Sequence, residues 1–204
     1  MNKDNCRFPQ GKEGVETLLN MNEAHKNGAI WALSNLQISP NSKILDIGCG
    51  GGANIKRISE ISKTAKIYGV DYSPTSVEVS SQLNADLITQ KRVEISLGNI
   101  EKLNFSDDSF DIVTAFETIY FWPEILENFK EVKRVLKNDG LFFVFLEGTT
   151  KETLDFWSEN VFLKNKLQVE EVVDLLKKAG FMDVKFLTKK DTEKTCFFGK
   201  KGKK

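Results

Sequence analysis

Four glycines fall within the five residues from Gly48 to Gly52, in the run Ile44-Leu-Asp-Ile-Gly-Cys-Gly-Gly-Gly-Ala53. The run leaves a short apolar stretch and opens a helical one, the setting in which glycines let backbone approach a ligand at a helix N-terminus. A tight turn with no ligand needs one or two glycines, so four point to a bound group. Gly48, Gly50 and Ala53 satisfy the G-x-G-x-x-G/A spacing of dinucleotide sites. That spacing alone brings a nicotinamide or flavin cofactor into consideration.

Two carboxylates separate the possible ligands. Asp46 stands two residues before the first glycine, at the carboxyl end of the strand. A negative charge there repels a pyrophosphate and suits a ligand that carries positive charge. S-adenosylmethionine, with an ammonium and a sulfonium, is such a ligand. Asp71, in Gly69-Val-Asp-Tyr-Ser73, ends the next apolar run. It lies about 20 residues beyond the loop, a placement that suits a ribose diol in either cofactor class.

The elements that must hold these residues follow from periodicity. Strands are expected at Lys43–Ile47, Lys66–Val70, Val93–Leu97, Phe110–Ala115 and Leu141–Leu146, and helices at Ala53–Ser62, Pro74–Gln90 and Pro123–Leu136, the last stopped by Asn138-Asp139-Gly140. Strand and helix alternating at this spacing imply βαβ units and a mostly parallel sheet. The end differs: a helix over Gln168–Lys178 precedes runs at Val184–Leu187 and Thr195–Phe198, which a short polar turn should pair as an antiparallel edge hairpin. Residues 1–40 hold one or two amphipathic helices, and Lys200–Lys204 read as a disordered, solubilising tail.

Composition removes other function classes. The 204 residues carry 29 basic and 29 acidic side chains, and the stretch Glu94–Asp155 is acidic, so no phosphate-neutralising surface and no nucleic-acid partner is expected. Cys6, Cys49 and Cys196 are widely spaced, which fits neither a disulfide framework nor a C-x-x-C metal site, and a single histidine, His25, excludes H-E-x-x-H zinc chemistry. No metal is expected. The longest apolar run has six residues, far below the roughly 20 of a membrane span, and the start of the chain lacks an apolar leader. A cytoplasmic location is the expectation.

Taken together, four motifs resemble those of class I S-adenosylmethionine-dependent methyltransferases, most closely the methyltransferase type 11 group that includes ubiquinone and menaquinone biosynthesis enzymes. Asp46–Gly52 resembles the D-x-G-x-G-x-G loop, and Val70-Asp-Tyr-Ser73 the acidic second motif. Asn99–Val113 resembles the block written G-D-A-x-x-L-P-F-x-D-x-S-F-D, and Glu131–Gly140 the E-x-x-R-V-L-K-P-G-G helix and turn. The resemblance implies an α/β, three-layer Rossmann-like methyltransferase fold, with a mostly parallel seven-stranded sheet and an antiparallel C-terminal edge hairpin. It implies a helical lid at 1–40 and a cofactor-binding domain at 41–204 as a single globular unit. It further implies that Asp46, Gly48, Cys49 and Gly50 line the methionine part of the cofactor. Asp71 would bind the ribose, Tyr72 pack on the adenine, Asn99 and Ile100 complete the adenine pocket, and Phe116 lie near the sulfonium. Asn99 departs from the usual aspartate, so its carbonyl oxygen would accept without charge.

The implied activity is transfer of a methyl group to a small-molecule acceptor. The alternatives are an NAD-dependent oxidoreductase and a non-catalytic protein that holds S-adenosylmethionine or S-adenosylhomocysteine. The cofactor carries the chemistry, so motifs name no catalytic residue. Position suggests Glu117, Tyr120 and His25 as candidates. Phe121 and Trp122 read as packing, and Glu147–Leu167 as a long connection whose Phe156-Trp157 walls the acceptor. The identity of the acceptor and the oligomeric state are not encoded in these motifs.

Overall fold

The computed structural model describes residues 3–203; Met1, Asn2 and Lys204, the first and last residues of the expected polar ends, lie outside the described residues. The chain forms two compact units, Met1–Asn99 and Ile100–Lys204.

In the first unit, helices α1 (Gly11–Ala24) and α2 (Lys26–Ser34) precede β1 (Lys43–Ile47), α3 (Ala53–Ile61), β2 (Lys66–Asp71), α4 (Pro74–Leu83), α5 (Ala85–Thr89) and β3 (Val93–Leu97). The three strands are parallel, with β2 between β1 and β3. In β1 every residue after Lys43 is buried, as a strand covered on both faces requires. Asp46 lies opposite Gly69 on β2. A Cβ at Gly69 would fall 2.5 Å from Ile55 Cδ1 and 2.8 Å from Ile95 Cδ1, so the missing side chain lets α3 pack tightly on the sheet.

In the second unit, β4 (Phe110–Phe116), α6 (Ile125–Val135), β5 (Leu136–Leu146), α7 (Lys151–Asn160), α8 (Val169–Lys178), β6 (Phe181–Thr188) and β7 (Thr195–Lys201) follow in order. Strands β4 and β5 are parallel, and β7 runs antiparallel to both β5 and β6. The hairpin therefore inserts its second strand beside β5 and leaves β6 outside. Phe129, Phe142, Phe143, Phe145 and Phe197 are fully buried and form the core of this unit. The Glu131–Arg134 pair of α6 pins the loop before β4. Arg134 donates to Glu131, to Asp107, and to the carbonyls of Leu103 and Phe105, while Glu131 accepts the Leu103 amide at 2.7 Å.

Four expectations are corrected. The helix expected over Pro74–Gln90 breaks at Asn84, whose Nδ2 donates to the carbonyls of Ser80 (2.9 Å) and Gly52 (3.1 Å) and turns the chain into α5. The strand expected from Leu141 begins at Leu136, where Phe110 pairs with it ahead of a bulge. The connection 147–167 contains α7, capped by Thr150, whose hydroxyl accepts from the Thr153 amide. Lys200 and Lys201 belong to β7 rather than to a disordered tail: Lys201 is buried, and its Nζ donates to Asp108 Oδ1 (2.7 Å) and to the carbonyls of Leu136 (2.6 Å) and Arg134 (3.3 Å).

Candidate cofactor and acceptor sites

In the first unit, the loop after β1 is shaped by left-handed backbone. Gly48, Gly50 and Gly52 have φ of 70°, 52° and 76°, values that side-chain-bearing residues rarely adopt. The amides of Gly48 and Cys49 both donate to the Val70 carbonyl, at 2.8 and 3.2 Å, which fastens the loop to the end of β2. A Cβ on Gly52 would lie 2.3 Å from Ser80 Oγ, so α4 packs directly behind the loop. The Cys49 thiol is buried, 3.9 Å from Ser80 Oγ. Burial first, then the charges of Asp71 and Asp46, push its pKa well above the usual thiol value, so it stays a neutral filler.

Asp71 is brought to this loop. Its Oδ2 accepts the Gly50 amide and its Oδ1 the Ser73 amide, both at 2.9 Å. Burial raises its pKa, and those backbone hydrogen bonds oppose the rise. These two amides hold the buried carboxylate against the loop. Asp46 is buried beneath the loop. A left-handed glycine loop between two acidic strand ends fits the chemistry of the implied cofactor.

Tyr72 is already part of an aromatic pair. Its ring lies 5.0 Å from that of Phe8, and its hydroxyl donates to the Arg7 carbonyl at 2.5 Å. Burial pushes its pKa up to about 12. Ser73 Oγ donates to the Pro9 carbonyl at 2.7 Å, so residues 7–9 lie along the turn after β2. From α1, Asn22 Nδ2 donates to the Gly51 carbonyl at 3.3 Å, and Leu18 borders Gly50. Phe8, Leu18 and Asn22 were not legible as site residues, because nothing in the sequence shows where the first helix docks. Asn99 is exposed just beyond β3, His25 is half-buried at the α1–α2 junction, and Trp31 is half-buried on α2.

In the second unit, the C-terminal ends of β4 and β5 carry the acceptor candidates. Ile100 is buried, and Phe116 is buried against Phe143 and Phe145. Glu117 has a left-handed φ of 56°, its amide donates to the Phe145 carbonyl, and its Oε1 accepts the Glu147 amide at 2.5 Å. Glu147 Oε1 in turn holds Lys194 Nζ at 2.7 Å. Tyr120 is 2% exposed, and its hydroxyl donates to the Gly148 carbonyl at 2.8 Å. Burial raises its pKa well above the usual phenol value. Trp157 of α7 meets the Tyr120 ring edge-on at 5.7 Å. Trp122 is buried and stacked on Phe142, as the packing reading required.

A family model described as a methyltransferase domain matches residues 45–144. The demethylmenaquinone methyltransferase of Staphylococcus epidermidis is 32% identical over 138 residues, 67% of this chain and 55% of that protein. The sterol 4-C-methyltransferase of Caenorhabditis elegans is 31% identical over 125 residues, 61% of this chain and 37% of that protein. The matched region thus spans only about a third to a half of these curated relatives. A solved chain from the complex between the Haloferax volcanii Trm112 methyltransferase activator and a methyltransferase superposes with a TM-score of 0.79 at 18% identity, covering 92% of this chain and 95% of that one. That likeness fixes the fold as the α/β Rossmann-like one expected, with seven strands, mostly parallel, and an antiparallel edge hairpin. Motifs, family match and fold agree: the domain at residues 45–144 belongs to the class I S-adenosylmethionine-dependent methyltransferases.

Proposed function

We propose that this chain transfers a methyl group from S-adenosylmethionine to a small-molecule acceptor. The observation that carries the reading is the Asp71–Gly50 hydrogen bond, which sets an acidic strand end against a left-handed glycine loop below which Asp46 is buried. When bound, S-adenosylmethionine supplies a methyl carbon already activated by positive sulfur. The residues present supply binding and orientation. Asp71 would take the ribose diol, Asp46 with Gly48, Cys49 and Gly50 the methionine end, Tyr72, Asn99 and Ile100 the adenine, and Phe116 the apolar side of the methyl group. Orientation of this kind can contribute on the order of 7–11 kcal/mol to lowering the barrier.

Residues 1–40 act in this proposal as a lid, since Asn22 and Leu18 lie on the glycine loop and Phe8 on Tyr72. Glu117 is the preferred candidate for holding a proton or a cationic group of the acceptor, because its carboxylate is fixed by the Glu147 amide. Tyr120 would shape the wall, its hydroxyl being engaged by Gly148, and His25 is the remaining candidate base. The relatives named for sterol and demethylmenaquinone methylation favour an apolar or aromatic acceptor. Among the described residues no helix is long and apolar enough to cross a membrane. The free thiols of Cys6, Cys49 and Cys196 fit a reducing compartment, and the proposal includes a cytoplasmic location.

The test is turnover. Methyl-labelled S-adenosylmethionine is incubated with the protein and a panel of quinols, phenols, sterols and small amines. Label transferred to one acceptor class supports the reading. Cofactor that binds but is never consumed across the panel would assign the chain to non-catalytic binding instead.

A further inference from the structure

The start of α7 is held by a residue more than 40 positions away. Glu193, in the turn between β6 and β7, accepts the amides of Thr149 and Thr150 through Oε2, each at 3.1 Å. Its Oε1 accepts the hydroxyls of Thr150 (3.0 Å) and Thr153 (2.9 Å). The carboxylate pairs the amides of the N-cap Thr150 and of Thr149 before it, and sits at the positive end of the helix dipole. Partial burial opposes the charge, but these hydrogen bonds outweigh it and hold the Glu193 carboxyl below its ordinary range. The next residue, Lys194, reaches Glu147 at the end of β5.

What α7 carries gives the clasp its meaning. Trp157 rests edge-on against Tyr120, and Gly148 lets the exit of β5 lie against the helix: a Cβ there would fall 2.6 Å from Thr153 Cγ2 and 2.9 Å from Trp157 Cη2. Glu147, Thr153, Thr188 and the 189–194 turn border an open groove of about 790 Å³ at this end of the sheet. Ligands of open α/β sheets bind outside the carboxyl ends of the strands, which is where Glu117 and Glu147 stand.

We propose that Glu193 is a positioning residue for the methyl acceptor: by gripping the first turn of α7 it fixes Trp157 on Tyr120 and sets the acceptor-side wall. This rests on the methyl-transfer reading. The step requires no chemistry at Glu193 itself; it acts through α7.

Glu193→Gln removes the charge: its Oε1 can still accept the Thr149 and Thr150 amides, but its Nε2 then faces the Thr150 and Thr153 hydroxyls in place of a carboxylate oxygen, whereas Glu193→Asp keeps the charge one methylene short. Three quantities are measured on the full chain: amide hydrogen exchange across residues 149–157, S-adenosylhomocysteine affinity, and KM and kcat for the acceptor found in the panel above. Glu193→Gln is expected to speed exchange at the start of α7 at least tenfold and raise acceptor KM at least fivefold, with kcat and cofactor affinity within twofold. Glu193→Asp should recover part of both effects. Faster exchange with unchanged KM would make Glu193 purely structural and overturn the proposal, as would unchanged exchange. Wild-type protein that binds S-adenosylhomocysteine but methylates nothing would contradict the methyl-transfer reading itself, and the acceptor role of Glu193 with it.

Discussion

The carboxylate of Asp71 accepts the backbone amide of Gly50 at 2.9 Å, so the end of β2 and the glycine loop after β1 form one hydrogen-bonded unit. The same carboxylate caps the turn into α4 through Ser73. If Asp71 holds the ribose as proposed, cofactor affinity and loop order are coupled at this one side chain.

Asp71→Ala should weaken S-adenosylhomocysteine binding by about 2–3 kcal/mol, roughly 30- to 140-fold in Kd, because it removes charge-assisted hydrogen bonds to the ribose. Titration calorimetry of the variant measures this directly. An affinity equal to wild type would remove Asp71 from the ribose site.

Gly52 and Gly11 both have positive φ but differ in their surroundings. At Gly52 a Cβ would lie 2.3 Å from Ser80 Oγ and 2.9 Å from the Ser80 backbone, whereas at Gly11 nothing lies within 4 Å. Gly11→Ala should cost about 1 kcal/mol from backbone strain alone. Gly52→Ala should cost at least about 3 kcal/mol, since it adds overpacking to the same strain. Urea unfolding of the two variants checks the ordering.

Lys201 fills its three donor positions with Asp108 and two carbonyls, and its side chain is 7% exposed. Lys201→Met keeps the stem but leaves the Leu136 carbonyl and Asp108 without this partner. The expected loss is about 2 kcal/mol, below the range for a fully buried pair because Asp108 is itself partly exposed. Deleting only Lys203 and Lys204 should leave stability within about 0.5 kcal/mol. Thermal unfolding of both variants tests whether the end of the chain is anchored at Lys201.

Two carboxylates give opposite pH dependences. Hydrogen bonding to Arg134 lowers the Glu131 pKa, so its contribution is present above the unfolded value near 4.3 and is lost as pH falls through the lower folded value. Burial raises the Asp71 pKa, so its charged form opposes folding at neutral pH, and that penalty is relieved as pH falls through the raised value. Glu131→Gln should flatten the acid-side loss of stability. Asp71→Asn should steepen it, because a compensating group has been removed. Denaturant midpoints between pH 3 and 7 report both slopes.

The glycine loop, the positions of β1, β2 and β4 along the chain and the C-terminal hairpin were legible because they are local: Gly48–Gly52 needs only its own backbone, and each of these strands holds buried Ile, Leu, Val or Phe within a short run. What stayed hidden depends on distant partners. Helix α7 buries only Leu154 fully and leaves Phe156 64% exposed, so it lacks the apolar stripe that marks a helix. Its cap at Thr150 and the acidic Glu152 were the available signals, and neither reveals Glu193. Lys201 reads as part of a basic tail until Asp108, 93 residues earlier, is placed beside it. Asn84 breaks a helix that its neighbours would continue, because its side chain serves the Gly52 carbonyl.

The central claim is tested most directly by titrating the purified chain with S-adenosylmethionine, S-adenosylhomocysteine and NAD in parallel. The account predicts binding of the first two with dissociation constants on the order of micromolar, about −8 kcal/mol, and no heat from NAD. Binding of NAD without either sulfur compound would contradict it.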